Sequence, residues 1–177
     1  MRLTAKHNPD VPSGPAQAAL LQDAIDKAHD CGGGIVTVEP GCYIITTLFI
    51  RSDVEMHLER GARLQAYTDL SAYPKTPNDA DNKDQASVQL ITAVDCHDIA
   101  ITGEGVIDGQ DRHFWDPCKR EEDRPYGIFR FTVRDGPRSR PSPLLHFVRC
   151  KNVRLAGFTV TAAPGWAVHV FDCDGVS

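Results

Sequence analysis

The stretch Val148-Arg149-Cys150-Lys151-Asn152-Val153 decides how the rest of the chain is read, because it recurs. It returns as Phe171-Asp172-Cys173-Asp174-Gly175-Val176, and an upstream copy is Val94-Asp95-Cys96-His97-Asp98-Ile99. A weaker copy, Ile50-Arg51-Ser52-Asp53-Val54, has Ser in the Cys position. The shared pattern is apolar, any residue, Cys or Ser, an optional polar residue, Asp, Asn or Gly, then Ile or Val. The step from Cys150 to Cys173 is 23 residues, and from Ser52 to Cys96 it is 44, a spacing that reads as two periods. Repetition on this scale marks a solenoid, in which one small unit stacks on the next. The last residue, Ser177, falls inside the final copy.

Composition sets the outer limits. With 177 residues, 41% apolar and 24% charged, the chain suits one domain with a real core. The formal net charge of -5 and the lack of a Lys/Arg-rich run argue against a nucleic-acid partner. No segment approaches the roughly 18 apolar residues of a membrane-spanning helix, so no membrane partner is expected. Met1-Arg2-Leu3-Thr4 lacks the apolar core of a signal peptide, leaving a cytoplasmic protein or a secreted one whose leader lies outside this sequence.

The six cysteines, at 31, 42, 96, 118, 150 and 173, include no C-x-x-C pair. Neither a metal site nor a cofactor is therefore expected. Three share one slot of the repeat, which predicts stacked, buried positions. The cysteines read as small apolar core residues rather than disulfides, with Cys118, in a polar loop, as the exposed exception.

Residues 15–29 predict a helix, with Ser13 able to cap it and Pro15 suited to its first turn. Leu20, Leu21, Ala24, Ile25 and Ala28 form its apolar stripe. A solenoid exposes its interior at each end unless something covers it, and this helix is expected to be the N-terminal cap. After Gly32-Gly33-Gly34 the chain turns to short strands separated by Gly, Asn and Asp: 35–38, 42–50, 54–58, 63–66, 87–94, 99–102, 106–107, 144–148, 153–155, 158–161 and 167–171. Connections this short exclude a flat parallel sheet with crossover helices. They predict an all-β parallel β-helix, a single partial domain over 1–177. Two polar stretches, 73–85 and 114–143, read as loop insertions. They are either cleft walls or solvated excursions.

On these residues the chain resembles glycoside hydrolase family 28, the polygalacturonase family, and the resemblance implies a right-handed, single-stranded parallel β-helix. Ala24-Ile25-Asp26 through Cys42-Tyr43 is similar to that family's cap helix and first strand. Leu48 through Ala62 fits the coil that follows. The phrases Ile101-Thr102-Gly103-Glu104-Gly105-Val106-Ile107-Asp108-Gly109-Gln110, Phe114-Trp115, Arg140-Pro141 and Pro164-Gly165-Trp166-Ala167-Val168-His169 follow in family order. The resemblance runs from about residue 20 onward. The opening departs from it, because His7 to Gly14 replaces the usual acidic, Gly-rich start.

The resemblance implies hydrolysis of a pectic polysaccharide with inversion. That chemistry needs two carboxyls held roughly 6.5–9.5 Å apart to admit a water. The family's phrases for it are Asn-Thr-Asp, Asp-Asp, Gly-His-Gly and Arg-x-Lys, and none occurs in residues 1–177. The catalytic aspartates are therefore expected beyond residue 177, and none is assigned within it. Asp108-Gly109 and Asp174-Gly175 read as turns, with Asp able to bond its own backbone. Asp95, Asp98, Asp79, Asp81 and Asp84 read as solvated turn and loop residues.

Arg140 is the first substrate-binding candidate, since a guanidinium can grip a uronate carboxylate bidentately. Arg134 and Arg138 are weaker candidates. His169 and Trp166 are candidates for hydrogen bonding to, and stacking on, a sugar. The implied partner is a pectic or other uronate-containing polysaccharide. Self-association through an uncapped last coil is also expected. The alternatives are a polysaccharide lyase, needing Ca²⁺ and a base, and a non-catalytic carbohydrate-binding or structural β-helix.

Overall fold

A computed structural model describes residues 1–76, 88–121, 130–133 and 139–177. The elements run β1 (Arg2–Ala5), α1 (Pro15–Asp30), β2 (Gly34–Val38), β3 (Gly41–Ile45), β4 (Leu48–Phe49), β5 (Val54–Leu58), β6 (Ala62–Ala66), β7 (Ile91–Val94), β8 (His97–Gly103) and β9 (Val106–Asp108). They continue as α2 (Asp111–Phe114), β10 (Trp115–Glu121), β11 (Arg130–Val133), β12 (Leu145–Val148), β13 (Lys151–Ala156), β14 (Thr159–Thr161), β15 (Val168–Phe171) and β16 (Asp174–Val176). Three parallel sheets wrap a common interior: sheet A (β1-β2-β5-β8-β13-β16), sheet B (β3-β6-β9-β14) and sheet C (β4-β7-β12-β15). Each coil visits C, A and B in turn, which is the parallel β-helix that the repeat predicts.

The register shows what the repeat encodes. Leu145 pairs with Val168, one full coil of 23 residues later. Leu48, however, pairs directly with Ile91, so Ser52 and Cys96 sit in adjacent coils rather than two periods apart. The extra length is an insertion between β6 and β7, whose foot is a 3₁₀ turn at Leu70–Ala72. Tyr73 is buried there and donates its hydroxyl to the Tyr67 carbonyl at 2.7 Å. The second insertion, within 114–143, carries the antiparallel pair β10 and β11. Asp79, Asp81, Asp84, Arg134 and Arg138 lie outside the described residues.

Largely aliphatic ladders fill the interior. Leu48, Ile91 and Leu145 stack inside sheet C, Val36, Met56, Ile101 and Leu155 inside sheet A, and Tyr43, Leu64, Ile107 and Val160 inside sheet B. Burying each such side chain contributes about 1.5–3 kcal/mol. At the open end, Val168 and Val170 continue the interior rows yet remain 40% and 38% exposed.

The repeated phrase is the turn from sheet C to sheet A, and its polar slots have a conformational cause. Asp95, Arg149 and Asp172 precede the Cys with φ of 54°, 49° and 52°, while Asp98, Asn152 and Gly175 follow it with φ of 51°, 54° and 69°. Asn, Asp and Gly tolerate this left-handed region best. Between these kinks Cys96, Cys150 and Cys173 stack one above the next, and the Cys150 N–H donates to Cys173 Sγ at 3.2 Å. The hydrogen bond to Cys96, together with burial, pushes the Cys150 thiol well above its ordinary range. Of the three stacked cysteines Cys150 is buried while Cys96 and Cys173 are only partly so, and Cys31 and Cys42 depart from the core reading altogether. Both are exposed, Cys31 beyond the end of α1 and Cys42 on the outer face of β3.

Helix α1 lies against β1 to β5 at the N-terminal end of the stack. Its N-cap is Gly14, not Ser13, and no side chain caps it. Gly14 has φ 83° and donates its N–H to the Ile44 carbonyl at 2.7 Å, so the entry to the helix is pinned by the first coil. Ala18, Leu21, Ile25 and Ala28 are buried, whereas Leu20 is 45% exposed and falls outside the stripe. Two glutamines complete the cap. Gln17 Oε1 accepts from the Ile44 N–H at 2.7 Å, and Gln22 accepts from the Phe49 N–H and donates to its carbonyl, at 2.8 and 2.9 Å. A primary amide offers the donor and acceptor that a neighbouring strand would, so these edges are satisfied without one. No helix among the described residues is long and apolar enough to cross a membrane.

Candidate functional site

Alternate residues of a strand face opposite sides of the sheet. In sheet C, Leu145 and Phe147 point inward, which turns His146 outward. Register places Phe49, Thr92, His146 and His169 in one outward row across four coils. His146 is nevertheless fully buried, so the face is roofed at its level, while His169 beside it is only half-buried. The two imidazoles stack with centroids 5.2 Å apart and planes 22° from parallel. Trp166 meets His169 edge-on at 5.1 Å, and Phe171 stacks on its other side at 6.2 Å.

Arg140 enters from the segment that leads the second insertion back into sheet C. Its guanidinium carbon sits 5.5 Å from the centroid of the Trp115 ring. Such an arrangement attracts through the ring quadrupole and fixes the plane of the cation. The neighbouring Ser142 is buried, and its hydroxyl accepts the backbone N–H of Trp166 at 3.2 Å. Gly165 makes this approach possible. A Cβ there would overlap the Ser142 hydroxyl and stand 3.0 Å from Arg140 Nε. Backbone bonds then zip the two segments together, from Leu144 N–H to the Trp166 carbonyl at 2.8 Å and from Leu145 N–H to the Ala167 carbonyl at 3.0 Å.

Arg140 thus meets Trp166 and His169 of the next coil on the outward side of sheet C. Ser142 and Gly165 join the first two, and a ring contact joins the last two. Chemically the patch offers a cation, two indole rings and an imidazole. Sequence reading passed over Trp115, Ser142 and His146 as site residues. His146 carried a usable signal, since it stands 23 residues before His169, the same step that separates the cysteines. Trp115 carried only its place in the Phe114-Trp115 phrase, and it is the fold of the insertion that brings it to Arg140.

Among the described residues, the carboxylates set aside in the sequence occupy structural positions. Asp108 is buried, accepts from Arg63 at 2.5 Å and receives the Gln110 N–H at 3.0 Å, closing its own turn. Asp95 takes Arg149 bidentately at 2.6 and 2.7 Å, and this hydrogen bonding holds its carboxyl below the usual range. Asp98 is lowered likewise, by the Asn152 amide first and then by His97. Asp174 and Gly175 form part of the turn ladder, with the Asp174 N–H bonded to the Cys150 carbonyl at 2.9 Å. Asp53, His97 and Asp98 bring ligand atoms within 4.8 Å of one another on that exposed turn, where Asn152 and His97 already engage Asp98.

Comparison with known proteins places this geometry. No family model matches the chain. A candidate polygalacturonase from Vitis vinifera is 26% identical over 162 residues, covering 84% of the chain; the chain spans 30% of that relative's length. Among solved structures, a family 28 exopolygalacturonase from Yersinia enterocolitica superimposes with a TM-score of 0.70 at 22% identity, over 99% of this chain and 38% of that one. A candidate glycosyl hydrolase from Parabacteroides merdae gives 0.72 at 19% identity, over 99% of this chain and 73% of that one. Sequence and fold thus point the same way: the chain is similar in sequence to a polygalacturonase and shares the parallel β-helix fold of a family 28 exopolygalacturonase.

Proposed function

We propose that the chain supplies the capped N-terminal coils and one wall of a polysaccharide-binding cleft in a pectin-degrading glycoside hydrolase. The observation that carries this reading is the Arg140 guanidinium stacked on Trp115 beside Trp166 and His169. A uronate sugar has an apolar ring face and a carboxylate edge. The indoles suit the first and the guanidinium suits the second. The resemblance adds hydrolysis with inversion, its two carboxylates standing on coils beyond residue 177. The exposed Val168, Val170 and Phe171 on the last coil support self-association when nothing stacks on them.

Isothermal titration with trigalacturonate tests the binding claim. Binding by the chain, weakened about ten- to a hundredfold in Arg140→Gln, is expected for a lost charge-assisted bond. Equal affinity in the variant would refute Arg140 as the carboxylate partner. A reducing-sugar assay on polygalacturonate tests the placement of the chemistry. No turnover is expected from residues 1–177 alone, and clear turnover would mean that one of the carboxylates in structural positions is catalytic.

A further inference from the structure

Sheet A presents its own outward surface, formed by β5, β8 and β13, where a groove of 720 Å³ opens. A second hollow of 380 Å³ adjoins it along the stack and shares Glu55 and Arg154 with it. The chemistry centres on three outward residues brought together across 45 to 47 positions of sequence. Thr102 Oγ1 lies 2.5 Å from Glu55 Oε1 and 2.8 Å from His57 Nδ1. A hydroxyl has one proton, and a carboxylate only accepts. The Thr102 proton therefore goes to Glu55, and the Thr102 oxygen takes the N–H of His57 Nδ1. This fixes the tautomer of the neutral imidazole and leaves a lone pair on Nε2.

Arg154 holds the other oxygen of Glu55 at 3.2 Å, so the line Arg154, Glu55, Thr102, His57 is bonded throughout except at its last atom. That atom belongs to a side chain 42% exposed that lines the groove. A preset acceptor in a groove of this size suits a ligand rich in hydroxyl donors. Charge narrows the class. Glu55, Glu59 and Glu104 outnumber Arg60 and Arg154 along the 720 Å³ groove, and Asp53 and Asp98 line the adjoining hollow. A surface of this sign repels a polyuronate.

We propose that the sheet A groove is a second carbohydrate site, for a neutral, hydroxyl-bearing glycan chain, with His57 Nε2 accepting a sugar hydroxyl. It lies on a different sheet from Arg140 and does not depend on the reading of that site. Long-range ¹H–¹⁵N NMR of the histidine side chains tests it, with β-1,4-galactotetraose and trigalacturonate added separately. Galactotetraose is expected to shift His57 Nε2 and leave His169 unmoved, and trigalacturonate to leave His57 unmoved. Thr102→Val, nearly isosteric, frees the tautomer and should weaken galactotetraose about three- to tenfold, one neutral hydrogen bond. A His57 that ignores galactotetraose, or responds equally to both sugars, would overturn the proposal, as would unchanged affinity in Thr102→Val.

Discussion

The outward faces of sheets C and A are built on the same coils and differ in almost everything that meets solvent. On sheet C the groups are rings and one guanidinium, fixed by backbone approach at Gly165 and Ser142 and partly roofed. On sheet A they are charged side chains bonded to one another, Arg154 to Glu55 and Arg60 to Glu104, over a floor of Gly103, Ala156 and Gly157. The interior cannot explain the contrast, because its aliphatic ladders are alike beneath both. In a solenoid the inward rows hold the stack and the outward rows are free to diverge. One backbone repeat therefore carries two surfaces of different chemistry.

The largest perturbation should remove both surfaces together. Phe147 is fully buried beneath sheet C, and Phe147→Ala should cost about 3–5 kcal/mol in urea denaturation. Loss confined to the sheet C face would show that the coils do not unfold as a unit. Gly165→Ala separates the faces. The added methyl meets Ser142 and Arg140, so a destabilisation of about 1–3 kcal/mol is expected, with the Arg140–Trp115 contact displaced and the His57 resonances unchanged. Wild-type stability in this variant would mean that the two segments are not held as close as described.

Acid should act on the turn between the sheets. The carboxyls of Asp95 and Asp98 are lowered in the folded chain by Arg149 and by Asn152. A lowered folded value means that the stability these groups contribute is full above the ordinary carboxylate pKa. It is lost as pH falls through the depressed values. Urea midpoints should therefore drop below about pH 4, and by less in Arg149→Ala and Asn152→Ala, which have less to lose. An identical acid response in all three chains would contradict the assignment. The smallest effect is expected from Arg60→Ala. It breaks an exposed ion pair with Glu104 and should change stability by less than about 1 kcal/mol. A larger loss would make the sheet A groove part of the scaffold.

The architecture was legible in the sequence because its cause is local and repeated. The Asp, Asn and Gly slots around Cys96, Cys150 and Cys173 mark the left-handed residues of one turn, and the strands follow from alternation between turns. Counting coils from spacing failed between Ser52 and Cys96, since an inserted segment adds length without adding a coil. The capping role of Gln17 and Gln22 was invisible, because an amide bonding a strand edge leaves no periodic trace. Arg140, Trp166 and His169 were legible through the resemblance, but the partners that hold Arg140 in place were not. Trp115 reaches it through an insertion, and Gly165 matters only for the atoms it leaves out. The Glu55, Thr102 and His57 line was missed for a related reason: its members fall in adjacent coils separated by an insertion, so no common spacing links them.

The central claim is that the sheet C face, through Arg140, binds uronate sugars while the sheet A face does not. Titrating the ¹⁵N-labelled chain with trigalacturonate and following the indole N–H signals of Trp115 and Trp166 tests it most directly. Saturable shifts at both indoles, needing about ten- to a hundredfold more sugar in Arg140→Gln and unaccompanied by any change at His57, are the predicted result. Silent indoles, or shifts that persist undiminished in Arg140→Gln, would contradict it.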